Sequence, residues 1–202
     1  MFMTKNIRLK KNDPVAREKL TLENISRTIR TGIHPDHFGD SVKSACVFLL
    51  FSEREELHTT VILKADNKGY PWANQIALPG GHIDPDDKKP VDAAYRELKE
   101  ELNISAPHVD FIGSMGHFMT INNTEIEVFT GVWDEEETIR FDEREIAKVF
   151  TVPFSWFVDT HFEKNFSGRI PGWDELLYPV EDVVMWGATA KIMHYLIELI
   201  YN

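Results

Sequence analysis

Residues 78–104, LPGGHIDPDDKKPVDAAYRELKEELNI, decide how the rest of this 202-residue chain is read. The stretch starts as a strand end, passes through a Pro-Gly-Gly turn and an acidic loop, and becomes a helix. Pro90 suits a helix's first turn, where a missing N–H costs nothing. Val91, Ala94, Tyr95, Leu98 and Leu102 then recur at helical spacing and form one apolar stripe. Glu97, Glu100 and Glu101 are three and four residues apart, which predicts carboxylates meeting on one face. That face is locally unfavourable, because Glu97 and Glu101 repel and all three lie toward the negative end of the helix dipole. A hard divalent cation such as Mg²⁺ reverses the sign of each effect. A solvated acidic face is the plainer reading of a Glu-rich helix. The Gly80-Gly81 pair, which lets backbone approach a ligand closely, and Arg96 among the carboxylates favour the ion.

The remainder reads as one domain with extensions, an α/β chain long enough to bury a core. Its hydrophobic content of 43% and charged content of 27% are ordinary for a globular protein. No apolar run reaches membrane-spanning length, and the opening MFMTKNIRLKKND has no signal-peptide core, so a cytoplasmic location is expected. The single cysteine, Cys46, lies in the apolar run SACVFLLF and reads as a buried small hydrophobe. A net charge of −11 argues against nucleic-acid polymers as partners. His34 and His37 are separated by Pro35 and read as loop residues, not a zinc site. A monomer and a homodimer both stay open.

Along the chain, 1–43 reads as an N-terminal extension with a helix over 21–31 capped by Thr21. Residues 42–51 form a central strand and 59–63 its hairpin partner, followed by a loop and a short strand at 75–78. After the acidic helix, 109–112 and 116–121 read as a bent strand that Asn122-Asn123 turns into 125–133. A helical turn at 143–147, a strand at 148–152, a helix begun at Pro153 and a loop or hairpin over 159–179 follow. A buried helix over 186–201 ends the chain. Strands on either side of a helix, with hairpins between them, favour a mixed sheet sandwiched by helices.

The 78–104 stretch resembles the Nudix box, a glycine, a spacer, then Arg-Glu-apolar-x-Glu-Glu-x-Gly-apolar. Here it runs Gly81, then Arg96-Glu97-Leu98-Lys99-Glu100-Glu101-Leu102-Asn103-Ile104. The spacer is one residue longer than usual, its acidic residue is Asp87, and Asn103 stands where the family has glycine. Asn is the next-best residue for a left-handed helix end, which predicts positive φ at Asn103. The resemblance implies a Nudix α/β/α sandwich with a mixed β-sheet and an N-terminal helical extension. It also implies Mg²⁺- or Mn²⁺-dependent hydrolysis of a small nucleotide-derived diphosphate. Glu97, Glu100, Glu101 and Gly81 would hold the metal, Arg96 would orient a box glutamate, and Gly80, Gly81 and Gln75 would meet the substrate.

A second likeness, to the coenzyme A diphosphatase branch, rests on three stretches. Gly80-Gly81-His82-Ile83-Asp84-Pro85-Asp86-Asp87 matches the branch's lengthened spacer, Glu145 to Pro153 its Glu-apolar-x-x-Val-Phe-x-apolar-Pro, and Trp186-Gly187-Ala188-Thr189-Ala190 its last helix start. The branch's Arg-Ser pair is replaced by Ala65-Asp66, and its Gly-Gln or Gly-Glu by Asn74-Gln75. Coenzyme A or an acyl derivative is therefore expected first, and ADP-ribose or another nucleotide sugar or dinucleotide second. Phe162, Phe166, Trp173 and Tyr178 are candidates to stack on an adenine. Glu145 matches the later-loop glutamate that serves as general base in this superfamily, alongside Glu97, with Glu143 and Glu125 in competition. Glutamine at position 100 or 101 is expected to abolish turnover and leave the fold intact or slightly more stable. An isoprenoid diphosphate isomerase on this fold needs a reactive cysteine, and Cys46 lacks an exposed, electropositive setting. A non-catalytic nucleotide-binding regulator would be expected to lack box carboxylates, and this chain keeps all three.

Overall fold

A computed structural model describes residues 17–39, 43–68 and 72–201; most of the expected extension and part of the loop expected after 59–63 lie outside them. The first helix, α1 (Leu22–Thr31), starts where expected, with Thr21 Oγ1 accepting from the Asn24 N–H at 3.2 Å. Its Ile25 and Ile29 are buried in the core. Strands β1 (Lys43–Glu53) and β2 (Leu57–Lys64) form the predicted antiparallel hairpin. Short strands β3 (Ile76–Ala77) and β4 (Gly80–His82) follow. The expected Pro-Gly-Gly turn is thus partly strand. Gly80 and Gly81 pair with Val47 and Cys46 of β1, which a left-handed Gly80 (φ +146°) makes possible.

The acidic helix α2 (Pro90–Leu102) has Pro90 in its first turn and Asn103 at its end with φ 60°, as predicted. Asn103 N–H donates to the Lys99 carbonyl and Ile104 N–H to that of Leu98, 3.1 and 3.2 Å, closing the last turn. Strand β5 (Val109–Met119) is continuous but irregular at 111–113 and 114–117. It pairs antiparallel with β6 (Thr124–Trp133), and β6 runs parallel to β1. Residues 143–145 turn without forming a helix, and β7 (Ile146–Pro153) pairs with β2. Helix α3 (Phe154–Glu163) takes the first residues of the segment expected as loop. The hairpin of β8 (Tyr178–Val180) and β9 (Val183–Met185) leads into α4 (Gly187–Tyr201).

The sheet order is β3-β2-β1-β6-β5, with β4 on β1 and β7 on β2. Alternation along β1 splits the core in two. Val47, Leu49 and Phe51 pack with residues of α1, α3 and α4, while Cys46, Phe48 and Leu50 pack with Ala93, Ala94, Leu98 and Leu102 of α2. The result is the expected mixed sheet between helical layers. Among the described residues no helix is long and apolar enough to cross a membrane.

Candidate active site

Pairing β4 to the middle of β1 brings the two glycines against the buried side of α2. A Cβ on Gly81 would lie 2.4 Å from Glu97 Oε1, and one on Gly80 would lie 2.2 Å from the Cys46 carbonyl. At Gly80, where the neighbour is backbone and φ is positive, only glycine allows this approach; at Gly81 a side chain would displace the Glu97 carboxylate. The Gly80 N–H donates to Glu101 Oε2 at 2.8 Å, and Lys64 Nζ at the end of β2 donates to Glu101 Oε1. Glu101 is 5% exposed and Glu100 far more so, its side chain at 59%. The three glutamates therefore differ in burial, while a single Arg96 nitrogen joins Glu97 to Glu100. Glu97 and Glu101 lie against the glycine strand, and Glu100 sits at the rim.

Arg96 connects the rim to the loop. Its guanidinium donates to Glu97 Oε1 at 2.9 Å, Glu100 Oε2 at 3.0 Å, Asp87 Oδ2 at 3.1 Å and the His82 carbonyl at 3.1 Å. The acidic residue of the long spacer thus binds the arginine that precedes the glutamates. Asp87 also accepts the Asp84 N–H at 2.9 Å, closing the loop on itself. The guanidinium hydrogen bond, then the Asp84 amide, holds the Asp87 carboxyl below its usual range. Burial pushes Glu97 upward against the pull of Arg96, and burial pushes Glu101 upward against Lys64 and the Gly80 amide. Five carboxylates, Asp84, Asp87, Glu97, Glu100 and Glu101, thus face two cations, Arg96 and Lys64, leaving an excess of three negative charges. Hard oxygens, partial burial and uncompensated charge are what a divalent cation fits.

This cluster borders a cavity between β3, β4, the β5–β6 turn and the start of α4. Gln75, Gly80 and Gly81 line it, so the structure brings together the expected substrate-contacting residues. The matched segment Trp186–Thr189 forms the opposite wall. Lys64, Trp72 and Trp186 also line it, and the sequence singled out neither Lys64 nor Trp72. Of the four candidate stacking aromatics none lines the cavity; Phe166 and Tyr178 are buried in the core, and Trp173 is 59% exposed.

Glu145 is exposed on the turn before β7, its carbonyl accepting the Ala65 N–H at 2.9 Å. The next residue, Ile146, pairs with Lys64, so Glu145 neighbours the Lys64–Glu101 pair through the backbone without lining the cavity. Glu143 is exposed on the same turn. Glu125 is buried, and its Oε1 accepts from His37 Nδ1 and the Phe38 N–H, each at 2.8 Å. Cys46 is fully buried; burial, then the Glu97 charge, pushes its thiol up to about 12. It is an inert thiol.

A model of the NUDIX domain family matches residues 40–170. The uncharacterized Nudix hydrolase NudL of Photorhabdus laumondii is 29% identical over 126 residues, 61% of this chain and 67% of its own. NudL of Yersinia pestis is 25% identical over 165 residues, 81% of this chain and 82% of its own. A crystal structure of a Deinococcus radiodurans protein superposes with a TM-score of 0.52 over 79% of this chain and 88% of that one, at 12% identity, a likeness of fold alone. The domain match spans well over half of the sequence and includes the whole glycine-strand and glutamate-helix arrangement. This chain therefore belongs to the Nudix family and is a Nudix pyrophosphohydrolase.

Proposed function

We propose that this enzyme cleaves the diphosphate of coenzyme A or an acyl-coenzyme A, using Mg²⁺ or Mn²⁺ held by Glu97, Glu100 and Glu101 beside Gly81. One observation carries the reading: the carboxylate excess of α2 and the loop before it lies beside a cavity whose wall includes the Trp186–Thr189 segment. Nudix hydrolases generally use divalent metals, and a bound ion supplies charge neutralisation on the diphosphate and an acidified water. The chain's own groups do the rest. Arg96 holds Glu97 and Glu100 together, and the Gly80-Gly81 strand lines the cavity beside them. Lys64, the cation on the cavity wall, offsets charge on the substrate. Gln75 offers an amide to the substrate, and Trp72 and Trp186 offer flat apolar walls for a base. Glu145 takes the proton of the attacking water, reaching in from the turn beside Lys64.

A second reading, an ADP-ribose pyrophosphatase or another enzyme of nucleotide sugars and dinucleotides, is favoured by Ala65-Asp66. An aspartate there repels a 3′-phosphate by about 1 kcal/mol at 4 Å even in bulk water. The test is product analysis by mass spectrometry on coenzyme A, dephospho-coenzyme A, ADP-ribose, dinucleotides and nucleoside triphosphates. The expected products are 4′-phosphopantetheine and 3′,5′-ADP, with activity abolished by EDTA. A roughly tenfold preference for ADP-ribose, about 1.4 kcal/mol in transition-state binding, overturns the coenzyme A reading. Glu145→Gln is expected to lower kcat by about a hundredfold with little change in KM. A drop below about threefold passes the base role to Glu97 or Glu143.

A further inference from the structure

We infer that His37, His117 and Glu125 form a second metal site, one for a zinc-type transition ion and separate from the box carboxylates. Three stretches distant in sequence build it. Gly116, with φ +79°, brings β5 so close to the 33–39 loop that a Cβ there would lie 2.3 Å from the Pro35 carbonyl. The His117 N–H donates to that carbonyl at 2.9 Å. His34 holds the same loop from behind, its Nε2 donating to the Ile29 carbonyl at 2.6 Å and its Nδ1 bonded to the Tyr195 hydroxyl at 2.9 Å. The loop thus sets the His37 ring 5.3 Å from the His117 ring, centroid to centroid, over Glu125 at the start of β6.

The carboxylate of Glu125 has a side chain only 2% exposed. His37 Nδ1 stands 2.8 Å from each of its oxygens and the Phe38 N–H donates to Oε1, yet buried Oε2 has no hydrogen-bond partner. His117 Nδ1 lies 3.1 Å from Oε1 and is likewise buried without one. Two buried polar atoms thus meet at one point in ion-pair contact without an aligned hydrogen bond, and a shared ion would satisfy both. The candidate donor atoms of all three residues fall within 4.8 Å of one another. Metal–ligand distances of about 2.0–2.1 Å put the donors of a tetrahedral zinc site about 3.3 Å apart, close to the separations seen here. Two imidazoles and one carboxylate suit zinc, cobalt or copper and not Mg²⁺. They leave a fourth position for water on the side of His37, whose side chain is 45% exposed. Binding exchanges the His37 Nδ1 proton, released to solvent, for the ion. The group His108, Asp134 and Glu136 also clusters, but it is exposed and has no buried unpartnered atom.

The test is a Co²⁺ titration of metal-stripped, full-length protein in excess Mg²⁺, which keeps the box carboxylates occupied. One equivalent should bind with the intense visible bands of a four- or five-coordinate ion, releasing protons. His37→Asn and His117→Asn should each lose the bands and that equivalent. Zn²⁺ should raise the Tm of the parent protein and leave that of both variants unchanged. Absence of such bands in the parent protein, or their persistence in both variants, overturns the site. So does a parent Tm that ignores Zn²⁺ while the variants are merely less stable, which makes the cluster a buried ion pair. The parent titration and Tm decide the matter even if a variant misfolds.

Discussion

Glu100 and Glu101 are adjacent in sequence and equivalent in the box pattern, but their surroundings separate them. From the sequence alone, removing either charge relieves repulsion and leaves the fold intact or slightly more stable. The structure keeps that outcome for Glu100, which is mostly exposed and bonded to Arg96. It reverses it for Glu101, whose carboxylate compensates Lys64, a side chain only 12% exposed, and caps the Gly80 N–H. Breaking a buried pair by removing one partner costs several kcal/mol, roughly 3–5 when the other charge is left wholly unpaired. Glu100→Gln should therefore abolish turnover at nearly unchanged urea midpoint, and Glu101→Gln should abolish it with a clear loss of stability in metal-free buffer. Equal midpoints for the two variants would show that Lys64 finds another partner. Cys46 supplies a pH test. Its folded thiol titrates at about 12 against an ordinary 9.0, so the folded state keeps a proton that the unfolded chain releases. Its contribution to stability is complete below pH 9 and is lost as pH rises toward 12, by up to about 1.4 kcal/mol per unit. Cys46→Ala should flatten that part of the curve in chemical denaturation run from pH 8 to 11. A slope unchanged by the substitution assigns it to other groups.

Helix α2 shows at the element scale how a departure from a motif can preserve its geometry. Asn103 takes the left-handed conformation that the family gives to glycine, and adds two tethers. Its Oδ1 accepts from Lys99 Nζ at 2.9 Å, and its Nδ2 donates to the Thr138 carbonyl at 3.2 Å. Asn103→Gly removes backbone strain together with those bonds and should change stability little. Asn103→Val places a β-branched residue at φ 60° and should cost on the order of 1–3 kcal/mol. Turnover should fall with it, because the same turn fixes Glu100 and Glu101; thermal melts and kinetics on the two variants check both statements. Most elements were legible in this way. Thr21, Pro90 and Asn103 signal helix ends through capping chemistry, and the apolar run at 42–51 signals a central strand. Two were not. Gly80–His82 carries no strand propensity and becomes a strand by pairing with 45–47 of β1 on the side opposite β6. The first residues of 159–179 extend a helix because Phe157, Val158 and His161 are buried, a tertiary fact that outweighs the absence of a clear period.

At the scale of the whole molecule, the candidate site was legible where it is local and hidden where it depends on topology. The box glutamates, Arg96 and the glycines sit within a single run of sequence and were read from it. Lys64, Trp72 and the His37–His117–Glu125 cluster meet only because the sheet brings β2, β5, β6 and two loops together, and no spacing in the chain announces them. The net charge of −11 is the other molecular property that bears on function. A polyanionic substrate approaches against that field, and among the described residues Lys64 is the lysine or arginine on the cavity wall. Long-range repulsion is screened by salt, since the Debye length falls from roughly 30 Å at 0.01 M to about 8 Å at 0.15 M. The contact between Lys64 and a phosphate is short and partly buried, and is screened much less. Raising ionic strength over that range at constant free Mg²⁺ should therefore increase kcat/KM for coenzyme A through a lower KM, leaving kcat nearly fixed. An electropositive funnel would act in the opposite direction, with kcat/KM falling steeply as salt is added. Steady-state kinetics at four or five KCl concentrations distinguish the two, and a monotonic fall would mean that residues outside the cavity wall draw the substrate in.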